Sequence, residues 1–154
     1  MESPYLASEL ALSATLPGTW RLQSRIDVTA SGVRLPEALL GDDPLALLIY
    51  DRSGHFADQF MRRDRSVDVA DEPSGAKNNG RTWGGYDAYF GMYTIGDKMG
   101  TVTQRLLSAL SRENVGTVLT RAMEVQGDTL AIRLETSAID GIPVVRTVTW
   151  HRAG

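Results

Sequence analysis

The sequence predicts an all-β domain in which eight antiparallel strands close into an up-and-down barrel. Several stretches alternate apolar and polar residues, which is the pattern of strands with one buried face. Short turn sequences rich in Gly, Asp and Ser join most of these stretches, and such turns favour hairpins over helical crossovers. Eight strands close into a barrel whose interior is just wide enough for one small ligand.

The composition is that of one globular domain spanning residues 1–154, with 42% hydrophobic and 23% charged residues. The formal net charge of -3 argues against a nucleic-acid partner, which favours a basic surface. No apolar run approaches the roughly 20 residues that a membrane span needs. Glu2 and Glu9 interrupt the mildly apolar N-terminus, which therefore does not fit a secretory signal. A cytoplasmic protein without a membrane partner is expected.

Several kinds of catalytic centre are not expected from the residues present. The chain has no cysteine, which excludes a thiol nucleophile and a thiolate metal site. The two histidines, His55 and His151, lie next to a turn glycine and near the C-terminus, where exposure is expected. The sequence contains no Gly-x-Ser-x-Gly elbow and no phosphate-binding glycine loop. Asp42 and Asp43 have no further ligands nearby, so no metal and no cofactor are predicted.

The first predicted strand runs from Gly18 to Val28 and has the clearest alternation in the chain. The apolar parity consists of Trp20, Leu22, Ile26 and Val28, and the polar parity consists of Thr19, Arg21, Gln23, Arg25 and Asp27. This alternation predicts one dry face and one charged, wet face. At roughly 3.3 Å per residue the strand spans about 36 Å, which is long enough for a barrel wall.

The segment before this strand, residues 1–17, predicts a short helix that Pro17 ends. This helix either plugs an open end of the barrel or is a frayed tail.

The remaining strands follow in hairpin order. They are predicted at Leu45–Tyr50, His55–Arg62, Phe90–Ile95, Gly100–Leu110, Val115–Val125, Thr129–Thr136 and Val144–Arg152. Residues 33–44 predict a loop or helical turn rather than a strand, and its leucines, Leu35, Leu39 and Leu40, could form a lid. Residues 63–82 are polar and predict either a mobile mouth loop or a tolerated surface insertion.

Four stretches together resemble the bacterial and fungal lipocalin-like domain family over roughly residues 17–152. They are Gly18-Thr19-Trp20-Arg21-Leu22, Leu48-Ile49-Tyr50-Asp51-Arg52-Ser53-Gly54-His55, Tyr89-Phe90-Gly91-Met92-Tyr93-Thr94 and Thr147-Val148-Thr149-Trp150-His151-Arg152. The resemblance implies a lipocalin-like eight-stranded barrel with a central cavity. It also implies that Trp20 packs across the closed end, often under an arginine. Some lipocalin-like barrels of natural-product pathways act as cofactor-free cyclases or isomerases.

The chain departs from that family in the strand that begins at Thr101. Relatives often carry histidine there, whereas Gln104 and Arg105 occupy this neighbourhood here. A role that needs an imidazole at this place is therefore not expected.

Arginine and tyrosine side chains supply the first candidate site residues. Arg121 and Arg146 each lie among apolar residues of their own parity. Either could stack on Trp20, or could bind a carbonyl or carboxylate of a ligand. A phenol in an apolar cavity can donate a hydrogen bond to a carbonyl, and Tyr93, in the middle of its strand, is the preferred donor over Tyr50, Tyr86 and Tyr89.

Asp58 interrupts Phe56 and Phe60 on one face of its strand. Among aromatic side chains its pKa would rise, which suits a general acid or base, or it could pair with Arg62 at the surface. The predicted catalytic residues are Tyr93, Gln104, Arg121 and Asp58. The predicted ligand-binding residues are Tyr50, Gln59, Met61, Met92, Leu106, Met123, Arg146 and Trp150.

Three functions remain open from the sequence. The first is a cofactor-free cyclase or isomerase acting on a polyketide- or terpenoid-like substrate, mainly by restricting its conformation. The second is a carrier that binds a small hydrophobic molecule, and the third is a barrel whose interior is filled. A cavity smaller than about 300 Å³ would argue against the first two. The protein is expected to be a monomer or a homodimer.

Overall fold

The structure is a computed structural model that describes residues 12–36, 40–41, 43–65, 84–96, 99–138 and 140–154. It contains nine strands within these ranges. They are β1 (Gly18–Thr29), β2 (Arg34–Leu35), β3 (Leu45–Tyr50), β4 (His55–Met61), β5 (Tyr86–Gly96), β6 (Thr101–Ala109), β7 (Val118–Gln126), β8 (Thr129–Ser137) and β9 (Pro143–Arg152).

The strands form one antiparallel sheet that closes on itself. Each strand from β3 to β9 pairs with its predecessor in the barrel wall, and β9 pairs with β1 to complete the cylinder. The two-residue strand β2 pairs only with the end of β1. The predicted eight-stranded antiparallel barrel is therefore confirmed, with β1 and β3–β9 as its wall.

Two strand boundaries differ clearly from the predictions. β5 begins at Tyr86 rather than Phe90, because Tyr86 already pairs with Met61 of β4. β7 begins at Val118 rather than Val115, because Arg112–Asn114 form a single 3-10 turn before it. Gly116 then adopts a positive φ of 85°, which other residues rarely do.

The predicted wet face of β1 is wrong in its second half. The ladder between β1 and β9 pairs Leu22 with Trp150 but Ser24 with Thr149, so Gln23 is the extra residue of a β-bulge. The bulge exchanges the two faces of the strand beyond it. Arg25 and Asp27 consequently point into the barrel and are buried.

The described part of the N-terminal segment supports the prediction of a helix that plugs the barrel end and not that of a frayed tail. Residues 12–15 form one helical turn, and Leu12 and Leu16 are buried in the core. Residues 1–11 of the predicted helix, and residues 66–82 of the predicted mouth loop, lie outside the described residues. No helix in the described ranges is long and apolar enough to cross a membrane.

The segment 33–44 was predicted to contain no strand, and this is wrong at Arg34 and Leu35, which form β2. Leu40 is buried against the core, in agreement with an apolar underside. Leu39 lies outside the described residues.

The end of the barrel where β1 begins, here named the Trp20 end, is densely packed. Trp20 is 0% exposed, and its indole N–H donates to the Leu16 carbonyl at 3.0 Å. The guanidinium carbon of Arg152 lies 4.2 Å from the centre of a Trp20 ring. Arg152 also donates hydrogen bonds to the carbonyls of Thr15 and Pro17. These contacts close this end of the barrel.

The prediction that Arg121 or Arg146 covers Trp20 is therefore wrong. Trp20 lies directly opposite Arg152 in the ladder between β1 and β9, whereas Arg146 lies opposite Asp27. Because register decides which side chain can reach the indole ring, the apolar neighbours of the two candidates carried no information about it.

Candidate functional site

A cavity of about 60 Å³ lies inside the barrel. Its charged lining comes from Arg25, Asp58, Asp87, Arg121 and Arg146, and its apolar lining includes Leu40, Phe60, Met123, Ile132, Val148 and Trp150. The volume is far below the roughly 300 Å³ typical of pockets for drug-sized ligands. The expectation of a roomy, apolar interior is therefore wrong, and this size argues against an enzyme or a carrier whose ligand must enter the cavity whole. The inward charges that follow the bulge in β1, together with large side chains, occupy much of the space.

One charged pair in the lining is fixed by a two-point contact. The Arg146 guanidinium donates to Asp27 through Nε to Oδ1 at 2.7 Å and through Nη2 to Oδ2 at 2.9 Å. Both residues are buried, and a bidentate pair of this kind fixes the plane of the guanidinium. Arg146 thus lines the cavity as part of a buried ion pair.

Asp58 is the central titratable group of the cavity. Even-numbered residues of β4 point inward, so Asp58 is 5% exposed and does not form the alternative surface pair with Arg62. Its Oδ2 accepts a hydrogen bond of 2.8 Å from the Tyr89 hydroxyl. Its buried Oδ1 has no hydrogen-bond partner among the described residues. One carboxylate oxygen is thus held in place while the other remains available.

Burial raises the pKa of the Asp58 carboxyl to about 7. The Tyr89 hydroxyl opposes this shift most strongly, and the nearby charges of Arg25 and Arg121 also favour the ionised form. At neutral pH the carboxyl is therefore close to half protonated. A group in that state can both accept and return a proton.

A second set of polar side chains is linked through hydrogen bonds. Gln104 donates from Nε2 to the Tyr50 hydroxyl oxygen at 2.6 Å, and the Tyr50 hydroxyl donates to the Met123 sulfur at 3.8 Å. Burial raises the pKa of Tyr50, so its phenol stays neutral. Tyr50, Gln104 and Met123 all line the cavity. Ligand contact by Tyr50 and Met123 and catalysis by Gln104 stay predictions.

Arg121 supplies a further positive charge to the lining. It is buried on β7, and burial lowers its pKa while Tyr89, Tyr50 and Asp58 raise it. A guanidinium keeps its charge even so, because its pKa begins far above neutrality. Arg121 and Asp58 thus place opposite charges on the surface of the same cavity.

Trp150 lies on β9 and lines the same cavity. It is 1% exposed, and its ring packs edge-on against Phe60, with 5.6 Å between centroids and 61° between planes. Its indole Nε1 has no hydrogen-bond partner among the described residues. The N–H is therefore a buried donor without an acceptor.

Five of the twelve predicted site residues do not line the cavity. Gln59, Met61 and Met92 lie on the outer face, because they alternate with inward residues of their strands. Leu106 is fully buried in the core but is not on the cavity surface. The Tyr93 hydroxyl donates to the Asp51 carbonyl at the turn between β3 and β4, so Tyr93 anchors that turn.

The structure adds cavity residues that the sequence reasoning did not select. Arg25 and Asp27 were assigned to the wet face because the bulge leaves no visible signal in the sequence. Tyr89 lies directly opposite Asp58 between β4 and β5, a pairing that depends on register. Asp87 lies at the start of β5, and the sequence reasoning placed the start of this strand too late because glycines precede it.

No group of three or more histidine, aspartate or glutamate side chains in the described ranges is arranged to hold a metal ion.

Comparison with known proteins gives one match. The model of the lipocalin-like domain family matches residues 17–153. A search of curated proteins gives no match. A lipocalin-like barrel is suited to binding a small hydrophobic molecule, and the match covers the whole barrel wall. The chain therefore belongs to the lipocalin-like domain family.

Proposed function

We propose that the barrel binds the reactive end of a largely apolar carbonyl compound and catalyses its isomerisation or cyclisation without a cofactor. The observation that carries this proposal is the Asp58 carboxyl, which belongs to a buried residue of the cavity lining and has one oxygen held by Tyr89 and the other without a hydrogen-bond partner among the described residues.

The proposed reaction is proton transfer next to a carbonyl group. The available Asp58 oxygen takes a proton from the carbon next to the carbonyl, and the C–H electron pair forms the carbon–carbon double bond of an enolate. The carbonyl electron pair moves to oxygen at the same time. Where the substrate carries a second carbon–carbon double bond that begins two carbons from the carbonyl, the enolate is a conjugated dienolate, and Asp58 returns the proton to its far carbon. The oxygen electron pair then re-forms the carbonyl, and the carbon–carbon double bond moves next to it, which gives the isomer. A pKa of about 7 suits both transfers, because near neutral pH the carboxylate is a sufficiently strong base and the carboxylic acid a sufficiently strong acid.

The charges around Asp58 support this chemistry. A negative charge develops on the substrate oxygen during enolate formation, and a fixed positive charge in a buried site stabilises it without solvent reorganisation. Arg121 lines the cavity, and its positive charge lowers the pKa of Asp58, which supports an electrostatic role for it in this step. Asp58 and Arg121 therefore have complementary roles in the proposed step.

The size of the cavity limits which part of a substrate takes part. About 60 Å³ accommodates the reacting end of a polyketide- or terpenoid-like molecule and not the whole molecule. The remainder lies outside this cavity. Holding one end of a flexible molecule in place also reduces the conformations open to it, which favours cyclisation.

The second candidate function is a carrier that binds without turnover. The apolar lining supports it, since Leu40, Ile132 and Val148 contribute no catalytic group. A cytoplasmic location, the absence of a nucleic-acid or membrane partner, and a monomeric or homodimeric state stay predictions from the sequence.

The test uses acetone in D₂O, because a three-carbon ketone suits a cavity of about 60 Å³. The exchange of its hydrogens next to the carbonyl for deuterium reports the proposed proton transfer and is followed by NMR. We expect the protein to accelerate this reaction, with a rate that rises as the pH passes through about 7 and Asp58 ionises. The variant Asp58→Asn should lower the rate by about 100-fold or more, the usual effect of removing a general base.

The matched control is Glu124→Gln, which makes the same change on the outer face of β7 and should keep the parental rate. Equal rates for Asp58→Asn and the parent protein would contradict the proposed role of Asp58. Binding of acetone without accelerated hydrogen exchange would favour the carrier.

A further inference from the structure

We infer that a cleft beside β3 binds small amphipathic monocarboxylates, in which Arg21 holds the carboxylate and the start of β3 receives the apolar tail. The cleft shares one lining residue, Phe60, with the interior cavity. Its ligand does not depend on the proposed proton transfer, because the cleft residues that hold it are not those that surround Asp58.

The cleft lies where two strands of the barrel wall separate. The ladder between β1 and β3 ends at the pair Arg21 and Leu47, although β3 extends further, to Leu45. Residues 22–26 of β1 have ladder partners only on β9 among the described strands. The start of β3 therefore has one edge that no described strand covers.

The cleft is large enough for a small molecule. Its volume of about 530 Å³ lies within the usual range for ligand sites, whereas the interior cavity has about 60 Å³. Leu45 and Leu47 line it and are 52% and 40% exposed. They lie opposite Met61 and Gln59 of β4, which also line the cleft. A bound apolar chain removes this surface from water, which favours binding.

Arg21 gives the cleft its charge. It is exposed on β1 and forms no ion pair with the described residues. Its neighbours across the sheet are Leu47 and His151, and neither carries a negative charge. The second guanidinium of the lining, Arg63, already pairs with Asp43 at 3.2 Å. None of the described lining residues is acidic, so the Arg21 charge is the one that a ligand can balance.

These contacts define the ligand class. A guanidinium presents a flat fork of N–H donors that matches a carboxylate with two hydrogen bonds. Leu47 lies beside Arg21, and Leu45 lies two residues further along the same face, about 7 Å away at 3.3 Å per residue. A single carboxylate with an unbranched apolar tail contacts all three side chains.

The test titrates octanoate into protein whose methionine methyl groups carry ¹³C, and NMR records the signals. Three of the five methionines report on different places. Met61 lines the cleft, Met123 lines the interior cavity, and Met92 is exposed and lines neither. Single substitutions to leucine assign the three signals. We expect octanoate to move the Met61 signal until it saturates and to leave the other two in place.

A Met123 signal that moves while the Met61 signal stays would place octanoate inside the barrel and overturn the inference. A Met61 signal that octanoate does not move would also overturn it.

Octanamide, which keeps the tail and lacks the charge, tests the role of Arg21. Octanoate should bind about 5-fold more tightly than octanamide, as expected for an exposed ion pair. Arg21→Gln should weaken octanoate binding by about 5-fold and change octanamide binding by less than about 2-fold. The matched control is Arg105→Gln, an exposed arginine of β6 outside the cleft, which should keep the parental affinities. Equal effects of the two arginine variants, or equal weakening of both probes by Arg21→Gln, would overturn the inference.

Leu47→Asp tests the apolar surface and the competing occupant, a second copy of this chain. It should weaken both probes by about 10-fold or more, since it replaces an apolar contact with a charge. Circular dichroism checks that the variant folds, and unchanged affinities in the folded variant would overturn the inference. Analytical ultracentrifugation of the parent and the variant tests the second copy. A parent dimer that Leu47→Asp separates, and whose Met61 signal octanoate does not move, would assign the cleft to the dimer and overturn the inference.

Discussion

Trp20 and Trp150 are both almost completely buried in the same barrel, yet their indole N–H groups have opposite surroundings. The Trp20 N–H donates to Leu16, and Arg152 covers its ring. The Trp150 N–H has no acceptor in the described residues and lies on a tryptophan that lines the cavity. The two tryptophans are therefore equally buried, but only the Trp20 N–H has a hydrogen-bond acceptor among the described residues. Trp20 closes one end of the barrel, whereas Trp150 lines the cavity.

The same contrast extends to the charged residues. At the Trp20 end Arg152 bonds to backbone carbonyls and stacks on an aromatic ring, so its contacts hold the fold together. In the cavity Asp58 keeps one oxygen without a partner among the described residues. The predictions below test this contrast between the Trp20 end and the cavity, and the largest expected effect comes first.

Trp20→Ala should lower the free energy of unfolding by about 3–5 kcal/mol, because it opens a large cavity in the core. It also removes the N–H donor of the Leu16 carbonyl. Urea denaturation followed by far-ultraviolet circular dichroism measures the change. Trp150→Phe, which keeps an aromatic ring and deletes an unpaired N–H, should be clearly milder. Equal losses for the two variants would contradict the comparison.

Asp58→Asn should change how stability depends on pH. The folded protein holds a proton on Asp58 up to about pH 7, whereas the unfolded chain releases it near the ordinary aspartate pKa of 3.8. The unfolded state therefore binds fewer protons between these values, and the contribution of Asp58 to stability falls as the pH rises through this window.

The amide cannot titrate. The free energy of unfolding of Asp58→Asn should therefore rise relative to that of the parent protein by an amount on the order of a few kcal/mol between pH 4 and 7. Urea denaturation across this range measures it. Tyr89→Phe serves as a companion variant, because loss of its hydrogen bond removes an influence that lowers the pKa of Asp58. In Tyr89→Phe the pH range over which stability falls should extend to higher pH. Parallel pH profiles for Asp58→Asn and the parent would show that Asp58 is not buried as described.

Arg152→Met should reduce the free energy of unfolding by about 0.5–2 kcal/mol, the range expected for a cation stacked on an indole ring. Thermal and urea denaturation provide the measurement. Arg152→Lys tests whether charge alone is enough, and we expect only partial recovery because the ammonium group lacks the flat donor face of guanidinium. Full recovery with lysine would argue against the stacked geometry.

Met92→Gln should change the free energy of unfolding by less than about 0.5 kcal/mol, since Met92 is 45% exposed on the outer face. It should also leave the rate of acetone hydrogen exchange unchanged, because Met92 does not line the cavity. Exchange in D₂O followed by NMR checks the rate. A clear loss of exchange would restore the sequence prediction for this residue.

The fold could be predicted because its signals are local. Alternation within each strand and glycine-rich turns between them identified the barrel, and the turn at Asp51–Gly54 was found in this way. The inward position of Asp58 was one of two alternatives, because Phe56 and Phe60 favour burial and Arg62 favours the surface. A local pattern could not decide between them.

The contents of the cavity depend on information that one strand does not contain. Tyr89 meets Asp58, and Arg152 meets Trp20, only because neighbouring strands adopt one register rather than another. Tyr93 looked better placed than Tyr89 by its position in the strand, yet its hydroxyl bonds to the Asp51 carbonyl. These differences concern partners across the sheet, which alternation alone cannot assign.

The extra residue Gln23 has a consequence for how such a barrel can diversify. Deleting it would restore strict alternation in β1, turn Arg25 and Asp27 towards solvent, and bring Ile26 and Val28 inside. One codon therefore decides whether the second half of β1 presents charged or apolar side chains to the barrel interior, while Asp58, Asp87, Arg121 and Arg146 on the other strands keep their places. An insertion or deletion in one strand thus changes several interior positions at once, whereas a point substitution changes one.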